Sequence, residues 1–283
     1  MKLADARTYF CDALSAKFSL DESRFYLKCI LQDWFSMDAT EMALSPDKTL
    51  TTKQTEQLKE AAEKLLKDIP LQQLIGEQLF LDLNIKINSD VLIPRPETEE
   101  LVQWILENYP KAPPLNTLDC GTGSGCIAIA LAHSWGKSSQ ISAIDVSSNA
   151  LRLAEENAQL NNADVSFRMV DMCLPWPFTK TFELIVSNPP YVLLSEKSEM
   201  HPRVLNYEPH LALFTPAEDR VHFYRAIERN AQTHLAKGGW LYFEINPRCE
   251  AALAEVFSTT TWQYFEIRND TFGKARFLRV QKR

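Results

Sequence analysis

The sequence predicts an α/β fold: a mostly parallel, helix-covered sheet that ends in an antiparallel hairpin, preceded by a small N-terminal helical domain. Three observations carry that expectation. Beyond Pro113, short apolar runs alternate with helical stretches, the rhythm of a parallel sheet with both faces covered. The last two runs, 262–268 and 276–281, are separated only by Asn269-Asp270-Thr271-Phe272-Gly273-Lys274, a hairpin-length link that requires antiparallel pairing. Residues 1–75 contain no Gly and read as helices.

The chain of 283 residues is long enough for one small and one larger domain, and 45% apolar with 24% charged residues is the composition of a globular protein. A net charge of −7 argues against a broad electrostatic grip on nucleic acid, which needs clustered Lys and Arg. No apolar run approaches the roughly 18 to 20 residues of a membrane helix, and the first residues lack the apolar core of a signal peptide, so no membrane association and a cytoplasmic location are expected. The six Cys include no C-x-x-C pair and have no close His partners; neither a disulfide framework nor a metal site is expected.

The clearest early helix spans 51–66. Thr51 and Gln54 have capping-box spacing, Leu58, Ala61, Ala62, Leu65 and Leu66 share one face, and Pro70 lies just past the end. This region is either a plain bundle or one that docks a partner protein. From Leu79 to Val91 the period changes to two, with Leu79, Leu81, Leu83, Ile85 and Ile87 on one face, which predicts a connecting hairpin over 76–92 and a second domain over 93–283. That domain opens with Ile93-Pro94-Arg95-Pro96-Glu97-Thr98-Glu99 and a helix striped by Leu101, Val102, Ile105 and Leu106; Pro96 and the acids after it fit a helix N-terminus. Strands follow at 116–120, 140–146, 165–170, 183–186 and 240–245, with helices at 125–132, 149–160 and about 222–235.

Between the first of these strands and the first helix lies Asp119-Cys120-Gly121-Thr122-Gly123-Ser124-Gly125. Gly121, Gly123 and Gly125 let backbone N–H groups approach a ligand at a helix N-terminus. The spacing is G-x-G-x-G, with Cys126 where the dinucleotide fingerprint has its third Gly, which weakens a pyrophosphate reading. Asp145 ends the second strand, about twenty residues on, where a carboxylate can accept both hydroxyls of a ribose. Asp171 ends the third, with Met172 beside it at a position suited to an adenine. Carboxyl ends of parallel strands share one sheet edge, so these groups converge on a nucleoside site.

A further strand ends in Ser187-Asn188-Pro189-Pro190-Tyr191. Pro cannot continue a strand ladder, so the strand stops near Asn188 with a stiff loop leaving it. A nucleoside cradle without a pyrophosphate loop resembles the S-adenosyl-L-methionine site of the class I methyltransferases, whose fold is Rossmann-like. Asn188-Pro189-Pro190-Tyr191 resembles the motif of enzymes that methylate exocyclic or amide nitrogens. Together with 93–99 and 119–125, the set resembles the release factor glutamine methyltransferases, the PrmC/HemK family, over nearly the whole chain.

That resemblance implies methyl transfer to the glutamine side-chain amide in the Gly-Gly-Gln motif of peptide chain release factors, with residues 1–75 helping to dock the substrate. It implies Gly121, Thr122, Gly123, Ser124, Gly125, Asp145, Met172 and Asn188 as cofactor contacts, and Asn188, Pro189, Pro190 and Tyr191 as substrate contacts, of which Asn188, Pro189 and Tyr191 are catalytic. In that role Asn188 accepts from the substrate NH₂ with its carbonyl and donates to the substrate carbonyl with its own NH₂. The Pro189 carbonyl takes the second substrate N–H, and Tyr191 covers the amide. Arg95 and Thr98 either border the pocket or set the helix start. The segment 208–219 lacks glycines found in the family, and Glu244-Ile245-Asn246-Pro247 replaces a usual Glu-Ile-Gly. The rival expectations are an adenine amino-methyltransferase, which the acidic charge disfavours, and a non-catalytic binding protein, which the intact Asn188 and glycines disfavour.

Overall fold

The computed structural model of the chain describes residues 1–216 and 218–283; Ala217, within the 208–219 segment, lies outside the described residues. Two compact units are present, Met1–Glu77 with Pro202–Tyr207, and Gln78–His201 with Glu208–Arg283.

The first unit is helical, with helices at Leu3–Leu14, Leu20–Phe35, Ala39–Leu44, Thr52–Leu66 and Leu71–Ile75. Thr51 and Gln54 exchange both bonds of a capping box, as their spacing predicts, and Ser19 with Glu22 does the same for the helix that follows it. Leu58, Ala61, Ala62 and Leu65 are buried against Leu3, Phe10, Leu14 and Ile30, whereas Leu66 is only partly covered. The helix Pro202–Tyr207 joins this core from far along the chain. Arg203 Nη1 donates to Tyr26 Oη at 2.9 Å and lays its guanidinium 4.6 Å from the Phe18 ring centre; Tyr207 Oη donates to the Lys67 carbonyl at 2.5 Å.

Strands β1 (Glu77–Phe80) and β2 (Leu83–Lys86) make a two-stranded sheet. Leu81 and Asp82 both have positive φ, +46° and +65°, the twist that suits a two-residue hairpin turn. The turn resets the alternation: Phe80, Leu83, Ile85 and Ile87 are buried while Leu79 is exposed. Leu79 therefore does not share the face of Leu83, contrary to the uninterrupted period read from sequence, because two residues are used in reversing the chain; Leu81, in the turn, still packs partly buried against the same core.

The second unit is built on a seven-stranded sheet of β3 (Asn116–Cys120), β4 (Gln140–Asp145), β5 (Val165–Met169), β6 (Phe182–Ser187), β7 (Leu235–Glu244), β8 (Trp262–Asn269) and β9 (Ala275–Lys282). The order is β5-β4-β3-β6-β7-β9-β8; the first five are parallel, and β9 runs antiparallel to both neighbours, which is the class I methyltransferase arrangement anticipated above. Alternate side chains feed two cores. Tyr242 packs with Leu101, Ile105, Ile127 and Leu131 under helices Pro96–Asn108 and Cys126–Trp135, while Leu241 and Phe243 pack with Tyr224, Ile227 and Leu253 under His222–His234 and Glu250–Val256. β7 starts five residues earlier than the sequence suggests, and a register shift opposite Phe182 and Leu184 takes up the extra length.

The chain winds outward from β3 through β4 to β5, then crosses to β6 on the other side of β3 and on to β7. At that reversal the carboxyl ends of parallel strands open a crevice, the usual ligand position in such sheets.

Candidate functional site

A cavity occupies this crevice. Among its walls are Gly121, Thr122, Gly123, Ser124, Asp145, Met172, Asn188 and Pro190 from the sequence-predicted set, together with Asp171 and Thr98. Gly125, Pro189, Tyr191 and Arg95 are not part of its lining. Sequence reasoning missed the apolar wall of Ile127, Leu211, Ala212 and Phe223, and the hairpin-side residues Asp90 and Leu92. Scattered apolar residues carry no motif, and only the fold brings these together.

The glycine loop works differently from expectation. Gly121, Gly123 and Gly125 have φ of +74°, +55° and +84°, a region costly for any residue with a Cβ. The resulting turn directs its N–H groups inward: Gly121 and Thr122 both donate to the Ile144 carbonyl at 2.8 and 3.0 Å, and Gly125 donates to the Thr122 carbonyl at 2.8 Å. Gly123 donates to Asp145 Oδ2 at 2.9 Å. The loop is therefore no open anion cradle. Its glycines allow close approach instead: a Cβ on Gly121 would lie 2.7 Å from Met172 Cε.

Asp145 accepts from Gly123 N–H on one oxygen and from Ser147 N–H on the other, both at 2.9 Å, so each oxygen keeps capacity for a hydroxyl from the cavity. Burial raises its pKa, and the Ser147 and Gly123 amides counter this by favouring the anion. Asp119 behind it is fully buried, with Thr122 Oγ1 donating to one oxygen at 2.6 Å; burial pushes its pKa up to about 7, against the Thr122 and Ala128 bonds that favour the anion. A carboxylate at this edge, with the Gly121, Thr122, Gly123 and Gly125 amides already engaged, suits the hydroxyls of a nucleoside better than a pyrophosphate.

At the ends of β6 and β7 the site is made by side chains. Ser187 pairs with Phe243 in the sheet, which sets Asn188 beside Glu244. Asn188 Nδ2 donates to Glu244 Oε2 at 2.9 Å and to Thr98 Oγ1 at 3.2 Å. Thr98 Oγ1 donates in turn to Glu244 Oε2 at 2.6 Å, and Tyr191 Oη donates to Glu244 Oε1 at 3.3 Å. The two acceptors are only 2.6 Å apart and lie to one side of Nδ2, so they share one side of the Asn188 NH₂ and fix which way the amide faces; its Oδ1 has no partner among the described residues and is the acceptor left for a ligand. One N–H of the same NH₂ is engaged by the buried carboxylate, and the expected donation to a substrate carbonyl falls to the other. Tyr191 likewise points its hydroxyl to Glu244 and contributes no wall to the cavity; burial raises its pKa.

The two alternatives for the 93–99 stretch separate. Thr98 is 3% exposed, lines the cavity and bonds Asn188. Arg95 is the N-cap of helix Pro96–Asn108 and forms an ion pair with the buried Glu208, which also accepts from Ile93 N–H at 3.2 Å. The sequence places Glu244 near the end of the strand predicted at 240–245, in a stretch that departs from the family pattern, and assigns it no role. Its place at the end of the strand next to Asn188 was the signal that could have found it.

Comparison with known proteins agrees with this geometry. The methyltransferase small domain family matches residues 99–206, and the PrmC N-terminal domain family matches residues 5–76. A release factor glutamine methyltransferase of Flavobacterium psychrophilum is 39% identical over the full length of both chains, and one of Bacteroides thetaiotaomicron is 36% identical over 97% of this chain and 98% of its own. Among solved structures, a methyltransferase from Pyrococcus furiosus superposes with a TM-score of 0.52 over 79% of this chain and 98% of its own, at 17% identity, a likeness of fold alone.

Proposed function

Because the chain belongs to the release factor glutamine methyltransferase family, we propose that it transfers a methyl group from S-adenosyl-L-methionine to the side-chain amide nitrogen of the glutamine in the Gly-Gly-Gln motif of peptide chain release factors. The observation that supports this most is the Asn188 amide, whose NH₂ is held by Glu244 and Thr98 and whose carbonyl oxygen is left to the cavity. S-adenosylmethionine, when bound, supplies an electrophilic methyl group. Asp145 would hold its ribose hydroxyls, Gly121 to Ser124 its backbone side, and Met172 with the apolar wall its base.

The chain's own residues then position the acceptor. An amide nitrogen is a weak nucleophile because its lone pair is delocalised into the carbonyl. Asn188 Oδ1 accepts one N–H of the substrate NH₂; the second is assigned to the Pro189 carbonyl by the family resemblance, Pro189 itself being outside the cavity lining. Two fixed acceptors define the plane of the amide and leave the nitrogen's open face toward the methyl group. Orientation of this kind can supply roughly 7 to 11 kcal/mol; the methylated nitrogen, cationic and strongly acidic, releases one N–H proton to water, so no strong base is required. Two acceptors also reject a glutamate, whose carboxylate brings no N–H.

Residues 1–75 are proposed to dock the release factor, with 76–92 as connector and 93–283 as the methyltransferase domain; the match of the PrmC N-terminal domain to residues 5–76 supports that division. Among the described residues no helix is long and apolar enough to cross a membrane. A cytoplasmic location follows from the proposed substrate, since release factors act in translation. Incubation with methyl-labelled cofactor and either release factor or RNA tests the reading. Label is expected in the release factor at the Gly-Gly-Gln glutamine; label in RNA alone would replace the amide with an adenine amine.

A further inference from the structure

We infer that Glu244 is the positioning residue of this reaction: its carboxylate captures the Asn188 NH₂, directly and through Thr98, and so commits the Asn188 carbonyl oxygen to the substrate. The inference deepens the reading above and rests on it.

An isolated asparagine amide can turn over, exchanging the oxygen and nitrogen that face a ligand. Here the exchange is opposed at both neighbours. Turned over, Asn188 would set its oxygen 2.9 Å from Glu244 Oε2, with no proton between them, since the Thr98 hydroxyl proton is already directed at that carboxylate. The Asn188 NH₂ would then face the substrate NH₂, donor against donor. Only one orientation satisfies Glu244, Thr98 and an amide acceptor together.

Glu244 can enforce this because it is 2% exposed and meets only donors: Thr98 and Asn188 on Oε2, and Tyr191 on Oε1. A carboxylate fits three donors; a carboxylic acid must aim its own O–H at one of them. Burial raises the Glu244 pKa, with Arg276 from β9 favouring the charge and Glu97 from helix Pro96–Asn108 opposing it. Tyr224 of helix His222–His234 donates to the Glu244 backbone carbonyl, and Cys126 of helix Cys126–Trp135 also faces the carboxylate; burial holds both of these groups neutral at physiological pH. Protonation of Glu244 therefore begins at a higher pH than for an ordinary carboxylate, and activity falls as pH falls through that range.

The test measures kcat, KM for each substrate and the pH profile, using full-length protein and a release factor. Glu244→Ala is expected to lower kcat about 100-fold while the dissociation constant for S-adenosylhomocysteine stays within about twofold, because a misdirected acceptor costs rate and not cofactor binding. Thr98→Val, a near-isosteric change that keeps the fold if Glu244→Ala does not, is expected to lower kcat about tenfold with KM unchanged. Glu244→Gln retains an oxygen for Asn188 and Thr98 but cannot titrate; it should recover most of the rate lost in Glu244→Ala and lose the acid limb that Glu244 contributes to the wild-type profile. Wild-type kcat in Glu244→Ala, a parallel loss of cofactor affinity in Glu244→Ala and Thr98→Val, or an unchanged acid limb in Glu244→Gln would each overturn the assignment. The wild-type reaction is the separate control: failure to label the release factor overturns the amide reading, and the Glu244 variants are then compared on whichever acceptor the wild type does methylate.

Discussion

At the ends of β3 and β4 the crevice is shaped by backbone, with three glycines at positive φ and amides that donate to Ile144, Thr122 and Asp145. At the ends of β6 and β7 it is shaped by side chains, with Thr98, Asn188 and Tyr191 all donating to one buried carboxylate. The first wall needs a chain that passes close to a ligand; the second needs one amide held in one orientation. They should therefore fail differently when altered, the first by losing cofactor and the second by losing rate.

The largest expected effect is on the side-chain wall. Asn188→Ala removes the acceptor and should lower methyl transfer about 100- to 1,000-fold, the range seen when a single positioned polar group is deleted. Thermal denaturation should show a fold retained with a modestly lowered melting temperature, because Glu244 loses one donor and keeps Thr98 and Tyr191.

Next is the backbone wall. Gly121→Ala places a Cβ 2.7 Å from Met172 Cε and keeps φ at +74°, a strain of about 1 to 2 kcal/mol for a residue with a side chain. The φ strain lowers the stability of free and bound protein alike, seen as a lower melting temperature, whereas the displaced Met172 should weaken cofactor binding in calorimetric titration. Adding Met172→Ala should recover the steric part of the loss and leave the part due to φ. Full recovery would mean that the loop's conformation is incidental.

These two walls were unequally legible. The glycine loop, Asp145 and the Asn-Pro-Pro-Tyr stretch are contiguous, and each carries its conformational reason in its residue types. The partners of Asn188 are not contiguous: Thr98 stands ninety residues before it and Glu244 fifty-six after, and only the β6–β7 register and the packing of helix Pro96–Asn108 join them. The parallel sheet with its antiparallel end was readable because alternating strands and helices with a final short link admit few topologies; the strand order was not read. The placement of Pro202–Tyr207 with the N-terminal helices was not, since a six-residue helix has too short a pattern to announce its partners.

A smaller effect separates Asp119 from its exposed counterparts. Its pKa is about 7 in the folded chain against about 3.9 for an unperturbed Asp, so the native state binds more protons than the unfolded chain between those values. Stability at this site is thus greatest below pH ~4 and declines as pH rises to about 7. Replacing Asp119 with Asn removes that dependence: the melting temperature of Asp119→Asn minus that of wild type should climb from about pH 4 to about pH 7 and then level off. A flat difference would contradict the burial argument.

The smallest effect lies outside both walls. Thr51→Ala removes the cap of helix Thr52–Leu66 and should destabilise the helical unit by about 1 kcal/mol in denaturant titration. Methylation of a free glutamine peptide should be unchanged.

The most direct measurement is a crystal structure with S-adenosylhomocysteine and a Gly-Gly-Gln peptide. The expected result has Asn188 Oδ1 about 2.7 to 3.2 Å from the glutamine Nε, with Asn188 Nδ2 still on Glu244 and Thr98. A glutamine bound with its nitrogen away from Asn188, or an Asn188 turned so that its NH₂ meets the substrate nitrogen, would contradict the account.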